Sequence, residues 1–496
     1  MQRSLRALPT VALLLAVGVA GCLDTDDGSG DGAQATGSEL GLVDLPSTHV
    51  DVQALLADAL ANGLAPMLFN ESVVDAAVSL TNDLYEPTIE VSDEGTLFIT
   101  GHTAVVDTTG APVYGSWDDG ATWEQLPFTR DLMMPGDLPG ATPPVTDEIF
   151  LVAGDDGYLY GVDITLATFP VNAWNDDGRF HAYFNPNAYD EHQVALQADQ
   201  CTAAPLKDRP WAAYADGALL MVSNPAAGPA QIGILDVPSG PLGLFETPYG
   251  VGATTGGGKW NVCAGIGYHT ADNAIPGIPD MRDDGLFAVP QRGGDALYLT
   301  LGNKMDIFNL DVVEVFPHTT GGEITSVYGQ AAFDADGTLF VGISNNTAED
   351  SAGIRTGQMR FAVSLDNGSS FVDRTFVVGD VGQGVRHFYM DGNRFGPGVF
   401  VVWAIDGDEV NEDGDATTFD WFAGHIQVGA AGEPVLVNPY MIIDEGPMPS
   451  AHVTGAAVGP DGRGYTAMYV DQGPGGTPLS MFIQQDGPVM PVTVSL

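Results

Sequence analysis

The chain has 496 residues, with 65 acidic against 16 basic side chains and a formal net charge of −49. A surface this acidic repels phosphate backbones and anionic lipid headgroups, which excludes nucleic acid as a partner. Hydrophobic residues make up 44% of the chain and 64 residues are glycine, so the sequence predicts a large folded core with many turns rather than a disordered chain.

The N-terminus carries the features of a secretion signal. Two arginines precede an apolar run at 11–20, which is too short to cross a hydrocarbon core of about 30 Å as a helix. The run ends in Val-Ala-Gly-Cys, a segment that resembles the bacterial and archaeal lipobox, in which the cysteine takes a lipid. We therefore expect a signal peptide at 1–21, then a lipidated Cys22 with a flexible acidic tether at 22–40. The alternative is an ordinary cleavage site with a fortuitous cysteine.

A single helix is predicted in the lead-in segment at 41–84. Apolar residues recur at the three- and four-residue spacing of one helix face over 52–60. Ser47 or Thr48 is available as the N-terminal cap, and Gly63 as the terminator. We expect this helix to pack as a brace against the main domain.

From residue 85 to residue 496 the pattern changes to a repeated β-hairpin. A short apolar strand, a Gly/Asp turn and a second strand rich in β-branched and aromatic residues recur at 88–100, 150–162, 211–223, 287–301, 331–343, 388–404 and 456–470. The turn glycines assigned to these hairpins are Gly95, Gly157, Gly217, Gly294, Gly337, Gly392 and Gly462. A repeat of roughly 60 residues fits four short strands with their loops, which is one propeller blade. The sequence therefore predicts an all-β propeller of four-stranded antiparallel blades; seven blades are favoured, and six or eight stay open.

Two turns carry the sharpest motif. Residues 116–123 read Ser-Trp-Asp-Asp-Gly-Ala-Thr-Trp, and residues 364–371 read Ser-Leu-Asp-Asn-Gly-Ser-Ser-Phe. In these turns the chain resembles the Asp-box (BNR-repeat) proteins, the sialidase-like β-propeller superfamily, whose motif is S-x-D-x-G-x-T-W. The residues that match it are Ser116, Asp118, Gly120, Trp123, Ser364, Asp366, Gly368 and Phe371. We expect the Asp carboxylate to accept hydrogen bonds across each turn and the aromatic ring to pack between blades, with each turn joining the third and fourth strands of its blade.

The resemblance implies a fold and leaves the activity open, because the superfamily includes sialidases, other glycosidases, sorting receptors and photosystem assembly factors. Its enzymes work on the propeller face opposite the Asp boxes. On that face the strand order puts candidate ligand-binding residues Asp208, Arg209, Trp211, Arg386, His387 and His452, and candidate catalytic residues Glu86, Arg209, Tyr328, Arg355 and Arg386. Residues 208–211 are either a platform for a sugar or carboxylate, or a buried Arg-Asp pair with the tryptophan packed at the beginning of a blade.

True sialidase chemistry is poorly matched by this sequence. It needs three arginines that clamp a carboxylate, a Tyr nucleophile paired with Glu, and an Asp acid/base. The family's first arginine should precede the first Asp box, yet no arginine lies between Arg6 and Arg130, and Glu86 stands where that arginine is required. Hydrolysis of another glycoside by two carboxylates stays open.

No cofactor is required by these motifs, and calcium is the one metal for which the sequence offers a site. Oxygen-bearing side chains alternate with glycine in an acidic loop, at Asp406, Asp408, Asn411, Asp413 and Asp415. A solvated acidic loop is the alternative. Cys201 and Cys263 would lie in an oxidising compartment, so we expect a structural disulfide between them.

The leading hypothesis is a monomeric, lipid-anchored, extracytoplasmic propeller that binds an extracellular glycan or protein through the face opposite the Asp boxes. The membrane would be contacted only through the lipid on Cys22. The alternative is a sialidase-like exo-glycosidase that acts on surface or environmental glycans. A third hypothesis, an envelope assembly factor, rests on the family resemblance alone.

Overall fold

The computed structural model describes most of the chain between residues 49 and 493. The described ranges are 49–61, 67–75, 84–103, 112–126, 149–163, 171–175, 181–184, 207–225, 231–236, 261–264, 275–293, 296–316, 323–324, 328–346, 356–380, 382–408, 418–447, 455–469 and 479–493. Within these ranges one helix, α1 (Val52–Ala61), accompanies strands that form seven sheets. No helix in the described ranges is long and apolar enough to cross a membrane.

The first three blades are four-stranded antiparallel sheets in which sequence neighbours pair. Blade 1 comprises β3 (Leu84–Val91), β4 (Leu97–Thr103), β5 (Val113–Ser116) and β6 (Glu124–Gln125). Blade 2 comprises β7 (Ile149–Ala153), β8 (Tyr158–Asp163), β9 (Val171–Asn175) and β10 (His181–Phe184). Blade 3 comprises β11 (Lys207–Ala215), β12 (Ala218–Pro225), β13 (Gln231–Asp236) and β14 (Asn261–Ala264).

Blades 4 and 5 each have an inner strand broken into two pieces. Blade 4 comprises β15 (Ile275–Pro276) and β16 (Asp280–Met281), which share the inner position, followed by β17 (Leu286–Gly293), β18 (Ala296–Asn303) and β19 (Asp306–Phe316). Blade 5 comprises β20 (Glu323–Ile324) and β21 (Gln330–Phe333), followed by β22 (Leu339–Asn346), β23 (Gly357–Ser364) and β24 (Val372–Val377). A short strand, β1 (His49–Asp51), pairs in parallel with β24 at the outer edge.

Blades 6 and 7 complete the ring. Blade 6 comprises β25 (Val385–Gly392), β26 (Val399–Asp406), β27 (Thr418–Val428) and β28 (Pro434–Pro447). Blade 7 comprises β29 (Gly455–Val458), β30 (Gly464–Tyr469), β31 (Leu479–Asp486) and, as its outer strand, β2 (Leu68–Asp75) from the N-terminal part of the chain. The innermost strands of successive blades contact one another, and β29 contacts β3, so the protein is a seven-bladed β-propeller.

The outer strand of blade 7 corrects the predicted start of the propeller at residue 85. Strand β2 runs antiparallel to β31, and the Ser480 hydroxyl donates a hydrogen bond of 2.7 Å to the Glu71 carboxylate. Apolar and polar residues alternate only weakly in this short segment, so its pairing with the C-terminal strand β31 is what identifies it as a strand. The ring is thereby closed by one sheet that combines N-terminal and C-terminal strands.

The helix forms where its periodicity predicts it, but its cap differs. The backbone N–H of Ala54 donates to the Asp51 carboxylate at 3.1 Å, so Asp51 rather than Ser47 or Thr48 caps the first turn. Val52 is fully buried among apolar side chains of blades 5 and 6, which agrees with the predicted brace. Gly63 lies outside the described residues.

The hairpin predicted at 287–301 is found in blade 4, but it joins the second and third strands rather than the first and second. The first-to-second turn contains Gly285, at φ +84°, whereas 287–301 forms the second and third strands. In blade 6 the turn glycine is likewise Gly398, at φ +94°, and not Gly392. The inner strand of blade 4 contains Pro276 and Pro279. Proline has no backbone N–H to donate to a neighbouring strand and is rare in central strands, so the sequence pattern does not predict a strand here.

The sheets are buried on both faces because each blade packs between two others. Every residue of β22 is buried, as are the first seven of β26, so these strands lack the in-out alternation of a sheet with one wet face. This packing explains why the strands read as continuous apolar runs.

Candidate functional site

Besides the broken inner strands of blades 4 and 5, three inner strands carry a β-bulge at the end of the propeller opposite the 116–123 and 364–371 turns. In β3, two residues, Glu86 and Pro87, lie between the paired positions Tyr85 and Thr88. The partners of these positions in β4 are separated by only one residue, so β3 carries one extra residue. In β11, Arg209 is the extra residue between two paired positions. In β25, Arg386 is the extra residue in the same way.

These β-bulges coincide with the residues predicted to face a ligand. An inserted residue bends its strand, leaves the ladder locally unpaired and re-aims a side chain, and bulges are common next to active sites. Blades 1, 3 and 6 thus carry the same device at the same end of the axis. The side chains of Glu86, Asp208, Arg209 and Arg386 lie outside the described part of the structure.

Two predicted aromatic residues are buried rather than exposed. Trp211 is fully buried, with its ring edge-on to Phe150 at 5.4 Å and to Tyr328 at 4.9 Å. Tyr328 is itself only 5% exposed. The Trp211 ring therefore has no free face on which a sugar could stack, which agrees with the packing alternative for residues 208–211.

His387 is half-buried, follows the bulge of β25 and stacks on Trp421, with ring centroids 5.9 Å apart. Asp406 accepts a hydrogen bond of 2.9 Å from the Gly384 N–H, which ties the end of β26 to the beginning of β25. Asp408 is exposed. The remaining predicted positions, Cys22, Cys201, Arg355, Asn411, Asp413, Asp415 and His452, and the side chain of Cys263, lie outside the described residues.

The predicted calcium site is therefore seen only at its first two acids. Among the residues that the structure describes, no group of three or more His, Cys, Asp or Glu side chains is arranged to hold a metal ion.

A second feature, which the sequence analysis missed, is a cavity of about 650 Å³ on the propeller axis. It lies at the end where the inner strands turn into the second strands, the same end as the 116–123 and 364–371 turns. Three of its lining acids, Glu90, Asp280 and Asp391, occupy the penultimate positions of the inner strands of blades 1, 4 and 6. The strand sequences also contain other polar residues, so the position of these acids is not marked by the sequence pattern alone.

Each of these acids joins its blade to the next one. Asp280 accepts a hydrogen bond of 2.6 Å from the Phe333 N–H of blade 5, and Asp391 accepts one of 3.0 Å from the Val458 N–H of blade 7. Glu90 accepts one from the Ala153 N–H of blade 2. The three carboxyls thus stabilise contacts between blades around the axis.

Burial is the largest influence on the pKa of each of these three carboxyls, and it raises the pKa. Desolvation raises the pKa of Asp280 to about 7, against the lowering effect of its backbone donors Phe333 and Met281. Desolvation and then the charge of Asp280 raise the pKa of Asp391 to about 7. Burial, followed by the charge of Asp391, raises the pKa of Glu90 well above its ordinary range.

Arg394 closes over this end of the cavity. It lies in the turn between β25 and β26 of blade 6, donates hydrogen bonds to the Val91 and Ala153 carbonyls of blades 1 and 2, and forms an ion pair of 3.0 Å with Asp93. One side chain therefore connects blades on different sides of the axis.

The 116–123 and 364–371 turns lie between third and fourth strands, as predicted, and have the expected hydrogen bonds. Asp118 accepts from the Thr122 N–H at 2.8 Å, and Asp366 accepts from the Ser370 N–H at the same distance. Their glycines, Gly120 and Gly368, have φ values of +79° and +82°.

Each of these two turns is also fastened to the preceding blade. Arg463 of blade 7 pairs with Asp119 at 2.9 Å, and Arg282 of blade 4 donates to Asn367 at 2.8 Å. Trp123 donates to the Ser72 hydroxyl of blade 7 at 2.8 Å. At this end of the propeller, the contacts of both turns serve the joints between blades.

We expect Asp280→Asn to change how stability depends on pH. The folded state holds the proton up to about pH 7 while the unfolded chain releases it near pH 4, so wild-type stability falls as the pH rises through this window. Asn stays neutral, so the variant should gain about 4 kcal/mol relative to the wild type between pH 4 and pH 8, less the cost of one altered hydrogen bond.

Urea unfolding at pH 4, 5.5, 7 and 8 measures this difference. Buried His425, whose pKa is lowered to about 4 by desolvation, destabilises both proteins equally as the pH falls below 6.5 and cancels in the comparison. The exposed Asp311→Asn variant gives the effect of removing one surface charge. A pH-independent difference between Asp280→Asn and the wild type contradicts the burial account.

Comparison with known proteins adds similarity of fold only. No protein-family model and no curated protein sequence matches the chain. Among solved structures, the chain is similar to the phage phi92 endosialidase at 12% identity and a TM-score of 0.42, over 87% of this chain and 71% of that one. It is also similar to an α-L-arabinofuranosidase from Fusarium graminearum at 10% identity and a TM-score of 0.39, over 84% and 96% of the two chains. An α-L-arabinanase from Penicillium chrysogenum matches at 13% identity and a TM-score of 0.35, over 76% and 97%. These scores are low, so the seven sheets themselves carry the conclusion that the chain is a β-propeller.

Proposed function

We propose that this protein is a binding module that holds an extracellular glycan or protein at the propeller end opposite the 116–123 and 364–371 turns. The observation that carries the proposal is the set of three bulges, at Glu86-Pro87, Arg209 and Arg386, in inner strands of three different blades. Regular inner strands would stabilise the propeller better, so irregularities at equivalent places favour a role in recognition. Two of the inserted residues are arginines, which suit carboxylate-bearing or hydroxyl-rich ligands.

The other end supports the same choice. Its two motif turns are engaged by Arg463, Arg282 and Ser72 of neighbouring blades, and Arg394 lies across the axis. Groups that are committed to joints between blades are poorly placed to exchange partners with a large ligand.

We further propose that the protein acts outside the cytoplasm, anchored by a lipid on Cys22. The signal-like segment at 1–21 and the polar tether at 22–40 support this. Incorporation of a labelled fatty acid into the wild type, and its loss in Cys22→Ser, tests the anchor; equal labelling of both proteins would overturn it.

The binding proposal is tested with the full-length chain on a glycan array and a panel of extracellular proteins, with chromogenic glycosides assayed in parallel. We expect retention of a ligand without glycoside hydrolysis, and at least a tenfold loss of affinity in Arg209→Ala and in Arg386→Ala. The matched control is Arg374→Ala, which removes an arginine from the outer strand of blade 5, where it donates to the Pro434 carbonyl at 3.2 Å.

Two outcomes would replace the proposal. Hydrolysis that is lost in Arg209→Ala and Arg386→Ala but kept in Arg374→Ala would make the protein an exo-glycosidase. Stable capture of one envelope protein, unchanged in Arg209→Ala and in Arg386→Ala, would favour an assembly factor instead.

A further inference from the structure

The backbone immediately before the Arg386 bulge is held by side chains as well as by the strand ladder. The Gly384 N–H donates a hydrogen bond of 2.9 Å to the Asp406 carboxylate, and the Asp406 N–H donates one of 2.9 Å back to the Gly384 carbonyl. The next N–H, that of Val385, donates to the side-chain oxygen of Asn346 at 3.0 Å. Two consecutive donors at the beginning of β25 are therefore satisfied by side chains from β26 and from β22 of the neighbouring blade 5.

Asn346 and Asp406, which we call the backbone clamp, fit closely around this segment. A β-carbon at Gly384 would lie 2.8 Å from a carboxylate oxygen of Asp406 and 3.2 Å from the amide nitrogen of Asn346. Gly384 and Val385 are both buried, and Asn346 is only 5% exposed, so water competes weakly for the two hydrogen bonds. The backbone that enters the bulge is thus enclosed as well as hydrogen-bonded.

The backbone after the bulge is also held. His387 lies one residue beyond Arg386, pairs with Ala404 of β26 and stacks on Trp421 of β27, with ring centroids 5.9 Å apart. Trp421 is only 2% exposed, so its ring is a fixed surface. Arg386 is therefore an inserted residue whose neighbours on both sides are fixed by groups from three other strands.

Such support is what a preorganised binding residue needs. An inserted residue has no ladder partner of its own, so the direction of its backbone depends on the residues that flank it. A binding residue whose backbone is fixed in advance loses less conformational entropy when the ligand arrives, and an error of about 1 Å in its placement weakens binding. The backbone clamp supplies this fixed direction at the beginning of β25.

We propose that Asn346 and Asp406 are positioning residues of the ligand site at the bulged end, which fix the backbone of Arg386 without contacting the ligand. This inference rests on the proposed function and adds two residues to it. It gives Asp406, which the sequence analysis offered as a calcium ligand, a role that needs no metal ion.

Amide hydrogen exchange of the full-length chain without ligand tests whether the backbone clamp fixes this segment. We expect residues 384–387 to exchange at least tenfold faster in Asp406→Ala than in the wild type. Asp406→Asn keeps an oxygen that accepts the Gly384 N–H, so it should exchange at the wild-type rate. The matched control is Asp334→Ala, because Asp334 accepts a hydrogen bond of 2.8 Å from the Gly398 N–H at the opposite end of the joint between blades 5 and 6. It should leave exchange at 384–387 unchanged.

A double-mutant cycle tests whether the backbone clamp acts through Arg386. The probe is the glycan or protein that the wild type retains most tightly on the array and the protein panel. We expect affinity to fall at least fivefold in Asp406→Ala and threefold in Asn346→Ala, and to stay within twofold of the wild type in Asp406→Asn and Asp334→Ala. In the Arg386→Ala background, Asp406→Ala should weaken binding by less than a further twofold, because the residue that it positions is gone.

The outcomes separate this inference from the proposed function. Wild-type exchange at 384–387 in Asp406→Ala, or a full fivefold loss on top of Arg386→Ala, would overturn the positioning role. Wild-type affinity in Asp406→Ala and Asn346→Ala, with affinity still lost in Arg386→Ala, would overturn this inference alone. A wild type that retains no probe would overturn the proposed function, and exchange would then decide whether the backbone clamp fixes the bulge. If Asp406→Ala does not fold, Asn346→Ala carries the same tests.

Discussion

Gly277→Ala is expected to destabilise the propeller by about 3 kcal/mol or more. Gly277 lies between the two pieces of the inner strand of blade 4, where its N–H donates to the Pro290 carbonyl at 2.8 Å. The next residue, Ile278, donates to the Gly329 carbonyl of blade 5 at 3.0 Å. A β-carbon at residue 277 would lie 1.9 Å from the Gly329 oxygen, and this neighbour is backbone that cannot rotate away.

Urea unfolding of Gly277→Ala measures this cost, and Gly382→Ala is the matched control. Gly382 has a φ of +102° but no atom within 4 Å of its would-be β-carbon, so alanine there costs only the unfavourable backbone conformation, about 1 kcal/mol. If Gly277→Ala unfolds at the wild-type urea concentration, the inner strands of blades 4 and 5 do not approach each other as described.

Trp211→Ala is expected to cost about 4 kcal/mol of stability, because it leaves a large cavity at the joint between blades. The indole is fully buried against Phe150 of blade 2 and against Tyr328, which precedes the inner strand β21 of blade 5. Its Nε1 has no hydrogen-bond partner among the described residues. Packing, rather than hydrogen bonding, therefore accounts for its contribution.

Trp211→Phe separates these two contributions. Phenylalanine keeps most of the packing and loses no hydrogen bond, so we expect a cost of about 1–2 kcal/mol, measured by the same urea titration. Equal costs for Trp211→Phe and Trp211→Ala would show that Nε1 holds a partner. Unchanged stability of Trp211→Ala with lost ligand binding would restore the platform interpretation of residues 208–211.

Much of the fold is readable from the sequence because the propeller repeats a local signal. Asp-Gly turns between apolar strands identify most blades, and two eight-residue motifs are placed correctly between third and fourth strands. The offset in blade 4 arises because Pro276 and Pro279 interrupt the inner strand, which is held in place by contacts with blade 5. Strand β2 is missed for a related reason, since its partner lies about 400 residues away in sequence.

The candidate site is readable only in part. Strand order alone places Glu86, Arg209 and Arg386 at one end of the axis, but one inserted residue per strand leaves no mark on a hydrophobic pattern, so the bulges needed the structure. The axial acids are missed because Glu90 and Asp391 are ordinary in sequence. They become unusual only when the closed ring surrounds them and raises the pKa of each carboxyl.

The central claim is that the bulged end of the propeller binds the ligand, and deletion of the inserted residues tests it most directly. Removal of Arg209 or of Arg386 restores a regular register in β11 or β25 while the rest of each strand pair is kept. Affinity for the ligand retained on the array should fall at least tenfold in each deletion, with the urea midpoint equal to or above that of the wild type. Wild-type affinity in both deletion variants would contradict the account.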